Sequence, residues 1–210
     1  MAAVSEPTPE LSITPKEFWA ALRARHPPLR LALREDARVT AIHRGERHEF
    51  HSRADTVIQI VRLCAVSDAF LAQVLYRLKA RLQTRGIPVL PRVAHRLAMA
   101  LAQVSIGDPV VVDPGVYIVH GQVVLDGLVE IHSGVVISPF VTIGLRSGNV
   151  TGPVIGAGVS IGTGAKVIGP VHVGDRATIG ANAVVVSDVP AGATVVGAPA
   201  RPRDRTSVSE

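Results

Sequence analysis

The sequence predicts an α+β fold: a helical N-terminal domain over residues 1–103, a parallel β-helix over 104–200 and a short tail over 201–210. Three observations carry that prediction. Before residue 104, apolar residues recur at steps of three and four, the spacing of one face of an α-helix. After it, short Val and Ile runs sit between Gly, Pro and Asp, and aliphatic residues fall six apart. Composition agrees: 19 Gly and 15 Pro argue against an all-helical chain, and one Trp, two Tyr and four Phe leave Val, Ile, Leu and Ala to build the core.

Taken in order, Thr14-Pro15-Lys16-Glu17 is a capping-box pattern, with Thr at the N-cap, Pro at N1 and Glu at N3. The helix EFWAALRAR follows and stops at Pro27-Pro28. The segment VTAIHRGERHEF, 38–49, reads as a short hairpin around Arg44-Gly45. The strongest helical pattern is 68–85, where Phe70, Leu71, Val74, Leu75, Leu78 and Leu82 make one apolar face. Ser67 caps its start, and Gly86 and Pro88 end it. A further apolar helix covers 92–103.

The repeats begin at Ile106, Val112 and Ile118. One extra residue shifts the phase, which resumes at Leu125, Ile131, Ile137 and Ile143. After a twelve-residue step it continues at Ile155, Ile161, Val167, Val173, Ile179 and Val185. Gly follows the aliphatic residue at 144, 156, 162, 174 and 180. Each hexad supplies one short strand and one corner, and the aliphatic residue points into a narrow prism. Three hexads close one triangular turn. No turn buries its own core, so the stack forms cooperatively. About fourteen hexads correspond to four or five turns.

Bulk properties narrow the function. A net charge of +5 points to anionic partners, either nucleic acid or a phosphorylated cofactor. Scarce aromatics disfavour a stacking platform for nucleic acid, so none is expected as a partner. The single cysteine, Cys64, excludes a disulfide within the chain, suits a reducing cytoplasm, and reads as buried filler. MAAVSEPTPELS lacks the pattern of a signal peptide, and no apolar run is long enough for a membrane span.

The chain resembles the hexapeptide-repeat acyltransferases, and within them the serine O-acetyltransferase group, over about residues 55–202. The resemblance rests on VSIGDPVVVDPGVYIVHG, on VIGAGVSIGTGAKVIGPVHVGDRATIGANAVVVSDVP and on the closing GAPARP. It also rests on a helical domain that runs directly into the repeats. It implies a left-handed β-helix, acetyl-CoA as donor, cysteine biosynthesis, and trimers or dimers of trimers with sites between neighbouring helices. The family's catalytic histidine matches His120, two residues after Ile118. The aspartate that precedes it in the family is Val119 here. A second family aspartate matches Ser105, and an Arg-His pair matches Thr151-Gly152. The resemblance thus keeps the acyl-transfer residue and alters the acceptor pocket.

Acyl transfer from a thioester needs a base for the acceptor's proton and donors for the charge that develops on the acyl oxygen. Imidazole suits the first task because it titrates near neutrality. His120 is either that base or an outward-facing strand residue without a role. His132 and His172 read as solvent or interface residues. Asp113, Asp126 and Glu130 flank the His120 turn; one of them orients the imidazole or binds an acceptor ammonium, or all are turn residues. The acceptor side is assigned to Ser105, Asp113 and Val119. By resemblance Gly144, Leu145, Thr163, Thr178 and Ala181 line the CoA arm; Lys166 and Arg201 either meet its phosphates or are solvated surface charges. The segment LRSGNVTGP, 145–153, is a loop beside that path, made mobile by Gly148 and Gly152. Hexapeptide helices also carry zinc hydratases, but their His-x4-His spacing is absent among His120, His132 and His172, so no metal is expected.

Three functions follow: an acetyl-CoA-dependent serine-type O-acetyltransferase, an acyltransferase for another amino acid or biosynthetic intermediate, or a non-catalytic trimeric scaffold. The sulfhydrylase partner that family members engage is reached through a C-terminal tail ending in Ile. This chain ends RDRTSVSE.

Overall fold

Residues 14–203 are described by a computed structural model; the RDRTSVSE terminus falls almost wholly outside them, and the MAAVSEPTPELS segment lies entirely outside. Five helices come first: α1 (Pro15–Ala24), α2 (Leu29–His43), α3 (Arg53–Val66), α4 (Asp68–Thr84) and α5 (Leu90–Ala102). The capping box at α1 forms in both directions, with Thr14 Oγ1 accepting from Glu17 N and Glu17 accepting from Thr14 N. Ser67 Oγ accepts from Phe70 N and caps α4.

The hairpin expected at 38–49 is not there. Its first half is the end of α2, and Arg44 and Gly45 form the turn after that helix. The helical period of α2 is carried by small or polar residues, Ala32, Asp36, Ala37, Thr40 and Ala41, all buried. The β-branched Val39, Thr40 and Ile42 suggested a strand, and packing overrode that propensity. The apolar face proposed for α4 is half of its buried surface: Phe70 is fully buried and Val74 and Leu75 pack against the cores. The most buried side chains of the helix also include Gln73, Tyr76, Arg77 and Lys79, while Leu78 is exposed. Helix α5 packs through Ala94, Ala98 and Ala102, which leaves Leu90, Val93, Leu97 and Leu101 outside.

The strands are β1 (Val104–Ile106), β2 (Val111–Val112), β3 (Tyr117–Ile118), β4 (Val123–Leu125), β5 (Leu128–Ile131), β6 (Val136–Ile137), β7 (Thr142–Gly144) and β8 (Thr151–Ile155). They continue with β9 (Ser160–Ile161), β10 (Lys166–Ile168), β11 (His172–Val173), β12 (Thr178–Ile179), β13 (Val184–Val185), β14 (Thr194–Val196) and β15 (Arg201–Pro202). They form three parallel sheets, β1-β4-β7-β10-β13, β2-β5-β8-β11 and β3-β6-β9-β12-β14, the faces of a left-handed β-helix of about five turns. All thirteen aliphatic residues of the hexad register are buried, the largest of them fully. The twelve-residue step is the excursion before β8, which pairs with β5 like any other turn. The last strand, β15, lies antiparallel on β14.

The two parts join through hydrogen bonds. The carbonyls of the buried aliphatic residues accept from the turn before, as Ile131 O does from Asp113 N and Ile137 O from Val119 N, while corners bond the other way, as Gly134 N does to Gly115 O. The buried aliphatic carbonyls of the first turn therefore point toward the helical domain with no strand to meet them. Helix α4 supplies side-chain donors instead. Gln73 reaches Val116 O at 2.8 Å, Tyr76 reaches Val110 O at 2.8 Å, and Lys79 reaches Ile106 O at 2.6 Å. Arg77 bonds Val112 O and Asp113 O and is ion-paired to buried Asp36, which in turn accepts from Gly115 N. Buried polar groups need partners, so the face of α4 that meets the solenoid sets these donors among Ala69, Ala72 and Leu75, which join the solenoid's apolar core.

Candidate active site

Three edges run down the prism, one at each pair of sheets. His120 lies on the edge between β3 and β4. Ile118 is buried, Val119 is still tied to Ile137 O, and His120 then turns outward into solvent. Four residues, 119–122, make this corner before buried Val123, where the next turn uses three, 138–140, before buried Val141. The phase slip read from the sequence is this extra residue.

The helical domain holds the corner in place. Gly121 lies against the end of α5, and a Cβ there would sit 1.8 Å from the Ala102 carbonyl oxygen. That carbonyl also accepts from Gln122 N at 3.3 Å. Between them lies a cleft of about 480 Å³, walled by the α3–α4 junction, the end of α5 and the corners bearing His120 and Phe140. His120 is thus an exposed imidazole at the mouth of a cleft between two parts of the chain.

The other predicted residues are distributed over the prism. Val119 shares the cleft with His120. Thr163 and Ala181 are exposed on the same edge, in later turns. Thr178 and Arg201 are exposed on the adjoining sheet. Lys166, in β10, donates to Phe140 O at 2.6 Å, so its ammonium ties down the corner beside His120. Gly144 and Leu145 lie at the opposite end of that strand layer, on the next edge, where Leu145 covers Gly127 so closely that a Cβ would meet its Cγ at 2.3 Å. Ser105 is half-buried in β1, paired with Val124.

The expected acidic partner of His120 is absent among the described residues. Asp113 lies on the third edge and bonds His132 Nδ1 at 2.9 Å. Glu130 pairs with Arg25, which holds its carboxyl below the usual range. Asp126 sits against Gly107, on the edge that also bears Leu145. Asp113 and Asp126 follow their strands into corners away from His120, and Glu130 stays within β5, so none of them reaches the imidazole across the filled prism. The loop is also shorter than expected. Thr151 and Gly152 belong to β8, with Gly152 buried, so the excursion is residues 145–150, closed by Asn149 accepting from Thr151 N.

Several cleft residues escaped the sequence reading: Arg44, Asp68, Gln103, Gln122 and Phe140. Arg44 was assigned to a hairpin and Asp68 to a helix start, and neither position carries a sequence signal for a site more than 50 residues further on. Two other shifted groups lie away from the cleft. Burial, aided by Arg77, Lys79 and Arg25, pushes His26 down to about 4, and burial pushes the Cys64 thiol up.

Comparison with known proteins agrees with this architecture. Residues 152–187 match the bacterial transferase hexapeptide family of six repeats. A serine acetyltransferase of Helicobacter pylori J99 is 40% identical over 130 residues, covering 60% of this chain and 75% of the relative. Soybean serine acetyltransferase complexed with serine superposes with a TM-score of 0.69 at 28% identity, over 86% of this chain and 71% of that one. The Brucella abortus serine acetyltransferase in complex with coenzyme A gives 0.71 at 26% identity, over 90% and 73%. With a relative of that identity matched over three quarters of its length, the chain belongs to the serine acetyltransferase family of hexapeptide-repeat transferases.

Proposed function

We propose that the protein transfers an acetyl group from acetyl-CoA to the hydroxyl of a small amino acid of the serine type, with His120 as general base. The observation that carries this reading is an exposed imidazole, pinned by Gly121 against α5, at the mouth of a cleft in a chain of this family. Acetyl-CoA, when bound, supplies the acetyl group as a thioester and leaves as the free thiol. His120 takes the proton of the acceptor hydroxyl as its oxygen gains the acetyl group, and returns that proton to the departing sulfur. No net proton is consumed.

The residues present suit that donor. Below His120 the edge carries Thr163, Ala181 and Ala198, short side chains that leave room for a narrow pantetheine arm. Arg201 and Arg203 are exposed at its lower end and can meet phosphates. Gly144 and Leu145 lie on a different edge from His120, which supports a trimer in which one chain's His120 edge faces the Gly144 edge of its neighbour. No helix among the described residues is long and apolar enough to cross a membrane, and a single free thiol suits a cytoplasmic enzyme. Because Val119, Ser105, Thr151 and Gly152 stand where the family has charged groups, acceptors other than serine belong in the same assay.

The test is thiol release from acetyl-CoA with a panel of hydroxy amino acids. His120→Ala is expected to lose activity by about 10²–10⁴-fold with an unchanged melting temperature. Full activity in that variant would remove His120 from the mechanism.

A further inference from the structure

We propose that Asp68 and Arg44, both from the helical domain, hold the ammonium and carboxylate of a zwitterionic α-amino acid in the His120 cleft. This rests on the acyl-transfer reading and extends it to the groups that select the acceptor.

Three observations carry the assignment. First, besides His120 the charged side chains lining the cleft are one acid and one base, Asp68 and Arg44. A neutral alcohol needs neither, and a free amino acid needs both. Second, the two charges are not fully neutralised within the described residues. Asp68 forms no ion pair among the described residues. Arg44 holds Glu46 through Nε at 2.9 Å, but Arg62 shares the same carboxylate, so two guanidiniums face one acid and a positive charge is left over. The shared Glu46 fixes Arg44 in place.

Third, left-handed backbone turns bring two amides and an aromatic ring to this opening: Gln103 (φ 54°) is the C-cap of α5, and Gln122 (64°) and Phe140 (63°) occupy the left-handed corner position that Gly164 and Asn182 take in later turns. Val66, Leu101, Val119 and Phe140 make an apolar wall that suits the methylenes between the zwitterionic head and the hydroxyl. The cleft far exceeds serine in volume, so a longer hydroxy amino acid fits this wall better.

The test compares L-serine and L-homoserine with their N-acetyl and methyl-ester derivatives in the thiol-release assay. The wild type is expected to use both blocked forms at least about tenfold less well than the free amino acid. Asp68→Asn should raise KM for the free acceptor by about tenfold to a hundredfold and abolish discrimination against the N-acetyl form alone. Arg44→Gln should abolish discrimination against the ester alone. KM for acetyl-CoA and the melting temperature should not move in either variant. A wild type that uses the blocked forms equally well, or variants that lower all acceptors alike, would overturn the assignment. If the wild type releases no thiol with any acceptor, the acyl-transfer reading fails instead. Calorimetric titration with L-homoserine then decides the pocket by itself: binding weakened by Asp68→Asn sustains it, and no binding to the wild type removes it.

Discussion

In an inner turn of the β-helix, Ile131 O, Ile137 O and Ile143 O accept from Asp113 N, Val119 N and Asp126 N of the turn before. In the first turn, Ile106 O, Val110 O, Val112 O and Val116 O have no turn before them, and Lys79, Tyr76, Arg77 and Gln73 take its place. The inner turns therefore bury aliphatic side chains alone, while the contact with α4 buries charged and polar ones beside Ala69 and Ala72. The stack has a direction: the carbonyls of its buried aliphatic residues face back toward the preceding turn, whereas corner carbonyls such as Gly115 O accept from the following one. The end that the aliphatic carbonyls face must be closed by donors, and a helix can offer donors only from side chains, because its own N–H groups are used internally. The same lid carries α5 over Gly121 and brings Arg44 and Asp68 to His120, so the closure of the solenoid also completes the cleft.

The contrast can be broken at its strongest point first. Arg77→Met is expected to destabilise the fold by about 3–5 kcal/mol, because it strands Asp36 and frees the Val112 and Asp113 carbonyls. Chemical denaturation measures this. Replacing Asp36 by Leu as well removes the stranded charge but not the unmet carbonyls, so only part of the loss should return. A double variant as stable as the wild type would mean that the lid's donors are dispensable. Within an inner turn, Ile155→Val should cost only about 0.5–1.5 kcal/mol, as one methyl group leaves a fully buried position. If it cost more than Arg77→Met, the inner packing would dominate the junction.

A smaller effect sharpens the picture at the lid's margin. His26 sits beside Tyr76, with its ring centroids 6.1 Å from it, and burial and nearby cations push the histidine down to about 4. Its folded value is below its unfolded one, so between about 6.5 and 4 the unfolded chain binds the extra proton. Stability should fall as pH drops through that window, and His26→Asn should flatten the slope of melting temperature against pH there. An unchanged slope would assign the acid sensitivity to other groups.

The legible part of the sequence was the part whose spacing has one physical solution. Ile106 through Val185 keep a six-residue beat because each must enter the same narrow prism, and the extra residue near His120 was visible as a break in that beat. The α1 capping box was legible for the same reason, since its two bonds are local. Helix α2 was not, because its buried stripe of Ala32, Asp36, Ala37, Thr40 and Ala41 carries little hydrophobic contrast. On α4 the apolar periodicity found Phe70, Val74 and Leu75 but not the buried donors Gln73, Arg77 and Lys79, since the demand on them came from carbonyls 27–43 residues further along the chain.

The sequence by itself therefore determined the repeat, its register, and the place of His120 just before the slip, because these depend on neighbours within one or two turns of chain. Only the tertiary structure decided which edge each acid occupies, that Asp113 meets His132 rather than His120, and that Arg44 and Asp68 enter the cleft. The physical reason is distance along the chain. A prism sends residues six apart to three different edges, and a helical lid returns residues from more than 50 positions away to one of them.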